Sequence, residues 1–517
     1  MSTVIVAEET LKLPHLDYAA LAPMLILFGV ACLGVVVEAA LPRGQRHRVQ
    51  LPLALAGLAA ALLTIVKLAG STSLTAAGAI AMDSPALFLQ GAIVVLGAVA
   101  LLLIGERTLE PGGPFVAQAA VTANTDADRA QASRSEGATE VYPLALFALG
   151  GMMLFCAAND LLTMFVALEV FSLPLYLLCA LARRRRLLSQ EAALKYFLLG
   201  AFASAFFLFG VALIYGYAGR VDFPGIALEI RTGSQSDLLL YIGFAMLAVG
   251  LLFKAAAVPF HVWTPDVYQG APTPVTALMA ACTKVAAFGG LLRVLNVAFA
   301  GPRWSFTPVL GGIAVLTMLV GAVLAVTQTD IKRLLAYSSI ANAGYVLVGA
   351  LMLTEKGRSS SLFYLVAYGF TALAAFGVVS LVRDADGEAT HLSRWAGLGR
   401  RSPLYAAVFT FILLAFAGIP LTSGFTAKFG VFAAAVENGQ VWLVIAGVLS
   451  SAVLAFPYLR VVVLMWLSEP GESTPTVSVP GGLTAAALTI GVVVTALLGI
   501  APGKLLDLTT HAATFMH

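Results

Sequence analysis

A chain of 517 residues that is 60% hydrophobic and 11% charged, with mean hydropathy +0.93, is not a soluble globular domain; it reads as a polytopic membrane protein. The net charge of +3 matters less than where the charges lie. Four isolated cysteines (Cys32, Cys156, Cys179, Cys282) and six histidines show no CxxC, HxxxH or HExxH spacing, and no phosphate loop or GxGxxG after a strand is present. Iron–sulfur clusters, structural zinc and nucleotide chemistry are therefore not expected on this chain, and nucleic acid is not an expected partner.

The first 20 residues lack a basic start followed by an apolar run, so no cleavable signal peptide is expected. Runs long enough to span a bilayer, ~20 residues each, lie at roughly 20–41, 51–70, 84–105, 141–158, 160–182, 190–217, 237–262, 272–298, 306–326, 331–353, 360–382, 402–433, 440–467 and 481–501. They predict an all-α polytopic membrane protein with about 14 transmembrane helices. Segment 106–140 reads as an irregular polar insertion, and 383–401 as a charged loop. With the N-terminus outside, sixteen Lys and Arg fall on inner loops and about seven on outer segments, which favours both termini outside. The run Arg183 to Arg186 is a topology anchor in this reading.

Two helices look interrupted. One carries Lys254 and then Pro259, and runs into HVWTPDVYQGAPTP. The other, 402–433, is too long for one span and holds Gly418, Pro420 and Gly424 just before Lys428. Proline removes a helix hydrogen bond and glycine loosens the turn. Unwound backbone at membrane depth is tolerated only where protein covers it or water reaches it. Interrupted helices at corresponding places in two halves mark an internally repeated transporter. Five helices in 141–298 and five in 299–467, an odd number per unit, give two inverted five-helix repeats, each with a broken helix fourth. Three N-terminal helices plus the polar loop (1–140) precede them, and a C-terminal helix (468–517) follows.

Only nine of the thirty basic residues are lysines, yet Lys254, Lys284 and Lys428 sit deep in apolar helices, with Lys195 nearer a helix end. An ionisable group in hydrocarbon is expensive and marks a task. Burial makes a lysine able to lose its proton, whereas arginine stays charged. Glu169, mid-helix in MFVALEVFSLPLY, is the clearest buried acid, and its natural partner is Lys254. Closed, such a pair keeps the lysine charged; open, desolvation expels the proton. Lys284 could take that proton, and Lys428 would be the acceptor in the second half, giving a lateral path linked by internal water. Lys195 either snorkels or takes part. His261 is either a relay or a donor that satisfies the break. Arg460 fixes helix packing, Asp266 caps or braces its loop, and Asp330 and Lys332 are solvated at an interface.

FKAAAVPFHVWTPDVYQGAPTPVTALMA, TQTDIKRLLAYSSIANAGY, ALEVFSLPLYLL and GIPLTSGFTAKF resemble the subunit N family of proton-pumping NADH:quinone oxidoreductase, bacterial respiratory complex I, over nearly the whole chain. Subunits L and M and the multisubunit sodium/proton antiporters share the repeat but differ around WTPDVYQGAPTPV. No long amphipathic arm follows residue 501, which argues against subunit L. The resemblance implies proton translocation driven by quinone reduction at a distant site, in a multi-pass subunit of the bacterial inner (plasma) membrane. NADH, FMN, iron–sulfur clusters and quinone would belong to other subunits, with no cofactor on this chain. Its partners would be neighbouring antiporter-like membrane subunits and the lipid bilayer. By this resemblance Glu169, Lys195, Lys254, Lys284 and Lys428 match the family's proton-transfer residues in type. Asn342 stands where the family often has histidine; asparagine orients water but carries no proton near neutral pH. The rival readings are a subunit of a multisubunit cation/proton antiporter and a structural scaffold.

Overall fold

The computed structural model describes residues 16–110, 112–116, 121–122, 125–127, 130, 137–233, 237–301, 303–384, 387–469 and 476–516. Among them, eleven helices are long and apolar enough to cross a membrane. The shorter apolar helices Val141–Ala157 and Pro403–Ala417 and the polar-dotted helix Ile331–Ala350 complete the crossings expected from the sequence. In chain order they are α1 (Tyr18–Ala40), α2 (Arg43–Lys67), the hairpin β1 (Ser73–Thr75) and β2 (Ile80–Met82), and α3 (Ser84–Gly105). The first repeat holds α4 (Val141–Ala157), α5 (Leu161–Cys179), α6 (Arg186–Ala218), the short α7 (Phe223–Thr232), α8 (Asp237–Ala255), α9 (Trp263–Gly270) and α10 (Thr273–Ala298). The second holds α11 (Arg303–Thr327), α12 (Ile331–Ala350), α13 (Glu355–Leu381), the strands β3 (Val382–Asp384) and β4 (Gly387–Glu388), α14 (Leu398–Arg401), α15 (Pro403–Ala417), α16 (Ser423–Glu437) and α17 (Val441–Leu467). Strand β5 (Thr476–Val477), α18 (Gly482–Ile500) and α19 (Gly503–His511) follow.

The inversion of the repeats is visible in one recurring local structure. Asp160 caps α5 by accepting from Thr163 N, and Asp330 caps α12 by accepting from Lys332 N and Arg333 N. Each aspartate also pairs in an isolated antiparallel bridge with the segment after the next helix, Asp160 with Asp222 and Asp330 with His391. The two bridges lie on opposite faces. Asn159 binds Gly78 O of the β1–β2 hairpin at 3.0 Å, whereas Thr390 takes a hydrogen bond from Arg185 at 3.0 Å, at the far end of α5.

The face carrying Arg183 to Arg186 gathers the polar segments that the sequence places inside. Arg184 and Arg383 both pair with Glu110, β3 pairs with β4 and β5, and Glu106 accepts from Thr484 N. The segment 383–401, expected as a loop, thus contains a small sheet and short helices. The described parts of the 106–140 insertion fold back on this face, where Phe115 bridges Ala182. Helices α10 and α13 run through the middle, and the apolar windows of both are 100% buried. Within those windows the polar groups have no bilayer or bulk water to turn to, so each must be satisfied by protein or by internal water.

Candidate functional site: lysines at two helix breaks

The α8–α9 break frees carbonyls at the centre of the first repeat. Pro259 and Pro265 supply no donors, and Ala256 sits at φ +61°, a left-handed conformation that costs a side-chain-bearing residue about 1–3 kcal/mol. The Phe253 carbonyl accepts from Ala256 N at 3.1 Å and from Trp263 Nε1 at 3.0 Å, and the freed Ala255 carbonyl accepts from Lys284 Nζ at 3.4 Å. Thr317 Oγ1, from the second repeat, accepts from Val258 N at 3.0 Å. The break is therefore braced by both halves.

Lys254, 4% exposed, occupies the last turn before this break. Its ammonium makes no hydrogen bond to a protein group. It lies 5.1 Å from the Tyr196 ring, 5.3 Å from Phe171, 5.4 Å from Tyr176 and 5.7 Å from Phe253. Aromatic faces attract a cation, and more so away from water. Tyr196 is itself stacked on Trp263 at 4.6 Å, which fixes the cage to the broken helix. The Tyr176 hydroxyl is also without a protein partner, so two neighbouring buried groups are ready to bind internal water.

The closed Glu169–Lys254 pair expected from the sequence is not formed. Glu169 is half-buried and accepts from Ser204 Oγ at 2.5 Å, within electrostatic reach of Lys254 but not bonded to it. The Lys254 ammonium instead faces the rings of Phe171 and Tyr176, from the same helix as Glu169. Lys195 departs further from a buried carrier. Its side chain is 43% exposed and bonds Glu191 at 2.6 Å and Asp266 at 2.8 Å. Asp266 also takes Arg333 at 2.6 Å, so it braces α6, α9 and α12 together.

In the second repeat, Lys428 is 6% exposed and lies after its break rather than before it. Its ammonium donates to Phe416 O and Ala417 O, both at 3.0 Å, and to Ser451 Oγ at 2.8 Å, 4.9 Å from the Tyr345 ring. These carbonyls end α15, where the helix dipole favours a cation. Gly418 turns the chain there at φ +85°, and a Cβ at Gly424 would run into Ala415 O. In the first repeat, the ammonium on the broken helix's carbonyl belongs to Lys284, not to Lys254.

Between Lys284 and Lys428 lies a line of hydroxyls that sequence reading missed. Lys284, 3% exposed, directly follows a π-helical turn, Met279–Thr283, and is 5.9 Å from the Tyr368 ring. Tyr364 donates to Asn342 Oδ1 at 2.6 Å, Asn342 Nδ2 donates to Ser338 O at 2.8 Å, and Ser338 bonds the Tyr458 hydroxyl. A cavity of about 10 Å³, room for about one water, is lined by Asn342, Tyr364, Tyr368, Thr371, Phe416 and Ser423. The available signal is Tyr364 and Tyr368 one turn apart in the apolar stretch 362–370 of α13.

Other expectations divide. Arg460 binds Val326 O at 3.0 Å and also Gln328 O, so it fixes helix packing. His261 Nδ1 has no protein partner. Asp330 and Lys332 are not solvated: they are 8% and 2% exposed, and Lys332 Nζ donates to Ala271 O at 2.8 Å, beyond the end of α9. Folding the polar insertion and the small sheet over this face covers them. Among the described residues no three His, Cys, Asp or Glu side chains converge as a metal site.

Comparison with known proteins agrees with this architecture. Residues 158–454 match the NADH:quinone oxidoreductase/Mrp antiporter transmembrane family. The chain is 71% identical over 513 residues to NADH-quinone oxidoreductase subunit N of Salinispora arenicola, covering 98% of this chain and 99% of the relative. It is 52% identical over 531 residues to subunit N of Mycobacterium bovis, covering 98% and 99%. A chain of respiratory complex I from Thermus thermophilus with bound aureothin superposes with TM-score 0.76 at 33% identity, over 94% of this chain and 99% of that one. A chain of the Mrp complex from a Dietzia species shares the fold, with TM-score 0.81 at 22% identity over 96% and 97%. With breaks, buried lysines and near full-length identity in agreement, the chain belongs to the NADH-quinone oxidoreductase subunit N family.

Proposed function

We propose that this chain, a proton-translocating membrane subunit of NADH:quinone oxidoreductase, moves protons laterally through Lys254, Lys284 and Lys428. The observation that carries the reading is that Lys284 and Lys428 each rest on carbonyls released by a helix break, Ala255 O in one repeat and Phe416 O and Ala417 O in the other. A small change in either break alters the contacts of a buried ammonium, which sets whether it keeps its proton. Glu169 acts on Lys254 through space, and the aromatic cage holds the charged form between transfers. Tyr368, Tyr364 and Asn342 would order water between the two repeats. Lys195 braces α9 through Asp266 rather than carrying protons in the buried line.

The energy source lies elsewhere in the complex. NADH, FMN, iron–sulfur clusters and quinone are assigned to other subunits, and neighbouring antiporter-like subunits are the direct partners. The test is Lys254→Met in the assembled complex, with NADH:quinone reductase and proton pumping measured together in membrane vesicles. Loss of both in a complex that still assembles supports the carrier role. Persistence of both overturns it. Reductase activity that never depends on this chain would favour the cation/proton antiporter reading.

A further inference from the structure

The far end of α10 is closed by a different chemistry from its middle. The helix leaves the arginine-rich face at Thr273, passes Lys284 and reaches Arg293, about 13 Å beyond Lys284 at ~1.5 Å per residue. A second π-helical turn, Val294–Ala298, follows directly. Arg293 is fully buried, yet each of its nitrogens has a fixed acceptor: Cys156 O at 2.9 Å from Nε, and the two Asp83 oxygens at 3.0 and 2.5 Å from Nη1 and Nη2. Asp83 is buried as well and caps α3 through Ala86 N at 3.0 Å. Residues 512–516 fold over this pair. Met516 N donates to Asp83 Oδ2 at 3.1 Å, and the Phe515 ring lies 5.2 Å from the guanidinium carbon. Arg358 Nε holds the segment down through Ala513 O at 2.6 Å, and Ala512, Ala513 and Phe515 are buried.

We infer that Arg293, Asp83 and residues 512–516 form a proton seal. It closes the end of the first repeat on the face opposite the arginine-rich one. It stops protons held on Lys254 and Lys284 from escaping directly to that face, and so rests on the carrier reading above. A relay needs groups that both give and accept a proton. The guanidinium only donates and does not deprotonate. Both Asp83 oxygens are already engaged. A fixed buried cation also excludes protons and other cations from a passage, as in water-selective pores. The contrast is with Lys254 and Tyr176, whose polar atoms are unspent, whereas here each Arg293 nitrogen and both Asp83 oxygens are engaged.

The test needs no turnover. The purified complex is reconstituted into liposomes holding a pH-sensitive dye, and decay of an imposed pH gradient is followed without NADH, wild type beside Phe515→Ala and Arg358→Gln. The seal predicts severalfold faster decay in both variants, with the dye retained and the NADH:quinone reductase rate unchanged. Decay at the wild-type rate in both assembled variants overturns it, as does equal loss of the dye. Lys254→Met is expected to keep wild-type decay, because a seal works without a carrier. Failure of pumping there and failure of the seal are thus read separately.

Discussion

The Lys284 ammonium donates to the carbonyl of Ala255, the residue that follows Lys254 and ends its helix. One bond thus joins the second lysine of the line to the backbone that positions the first. Lys284→Met removes both the proton site and the donor, and leaves a buried carbonyl unpaired at a cost of about 1–3 kcal/mol. Lys284→Gln keeps a donor without a titratable charge. Pumping is expected to fall severalfold in both, with thermal stability of the complex falling mainly in the methionine variant. Equal stability in the two variants would mean that the Ala255 contact has no structural weight.

The cage around Lys254 makes a second, separable claim. Each ring face near a desolvated ammonium contributes about 0.5–2 kcal/mol to its charged form. Tyr196→Leu removes the nearest ring and its stacking on Trp263. Phe171→Leu removes one ring and leaves that stack intact. Both are expected to slow pumping severalfold, with Tyr196→Leu also loosening α9. Wild-type pumping per NADH in Phe171→Leu would show that the ring faces do not hold the charge.

The sequence disclosed the breaks and the buried lysines because proline, glycine and lone lysines in apolar runs are costly and therefore legible. It did not disclose which groups touch. Glu169 was expected on Lys254, but Ser204, on the next helix, takes its carboxylate, a contact no periodicity marks. Lys332 follows a capping aspartate and so looked like a helix-end residue at the surface; the fold of the small sheet buries it. Met516 meets Asp83 across more than four hundred positions of sequence and Phe515 meets Arg293 across more than two hundred, and nothing local signals either pairing.

Lys195 separates bracing from carriage. A half-exposed lysine bonded to Glu191 and Asp266 gains about 0–1 kcal/mol from such pairs, and salt screens them. Lys195→Gln is expected to reduce pumping less than Lys254→Met, with the difference from wild type shrinking as ionic strength rises. A loss as deep as that of Lys254→Met, independent of salt, would place Lys195 in the carrier line instead.

Asn342 offers the most direct test of how the two repeats are bridged. Its side chain accepts from Tyr364 and donates to Ser338 O, so both ends are committed and it orients its neighbours without titrating. If water ordered beside it carries the proton between Lys284 and Lys428, geometry is what matters. Asn342→Ala is then expected to lower pumping severalfold in an assembled complex, by releasing Tyr364 and enlarging the cavity. Asn342→His offers an acceptor to Tyr364 and a donor to Ser338, and is expected to retain pumping. Tyr364→Phe removes the same bond from the other side and should match Asn342→Ala, with little further loss when the two are combined, since both act through one contact. Additive losses in the double variant would show that the tyrosine and the asparagine serve separate paths.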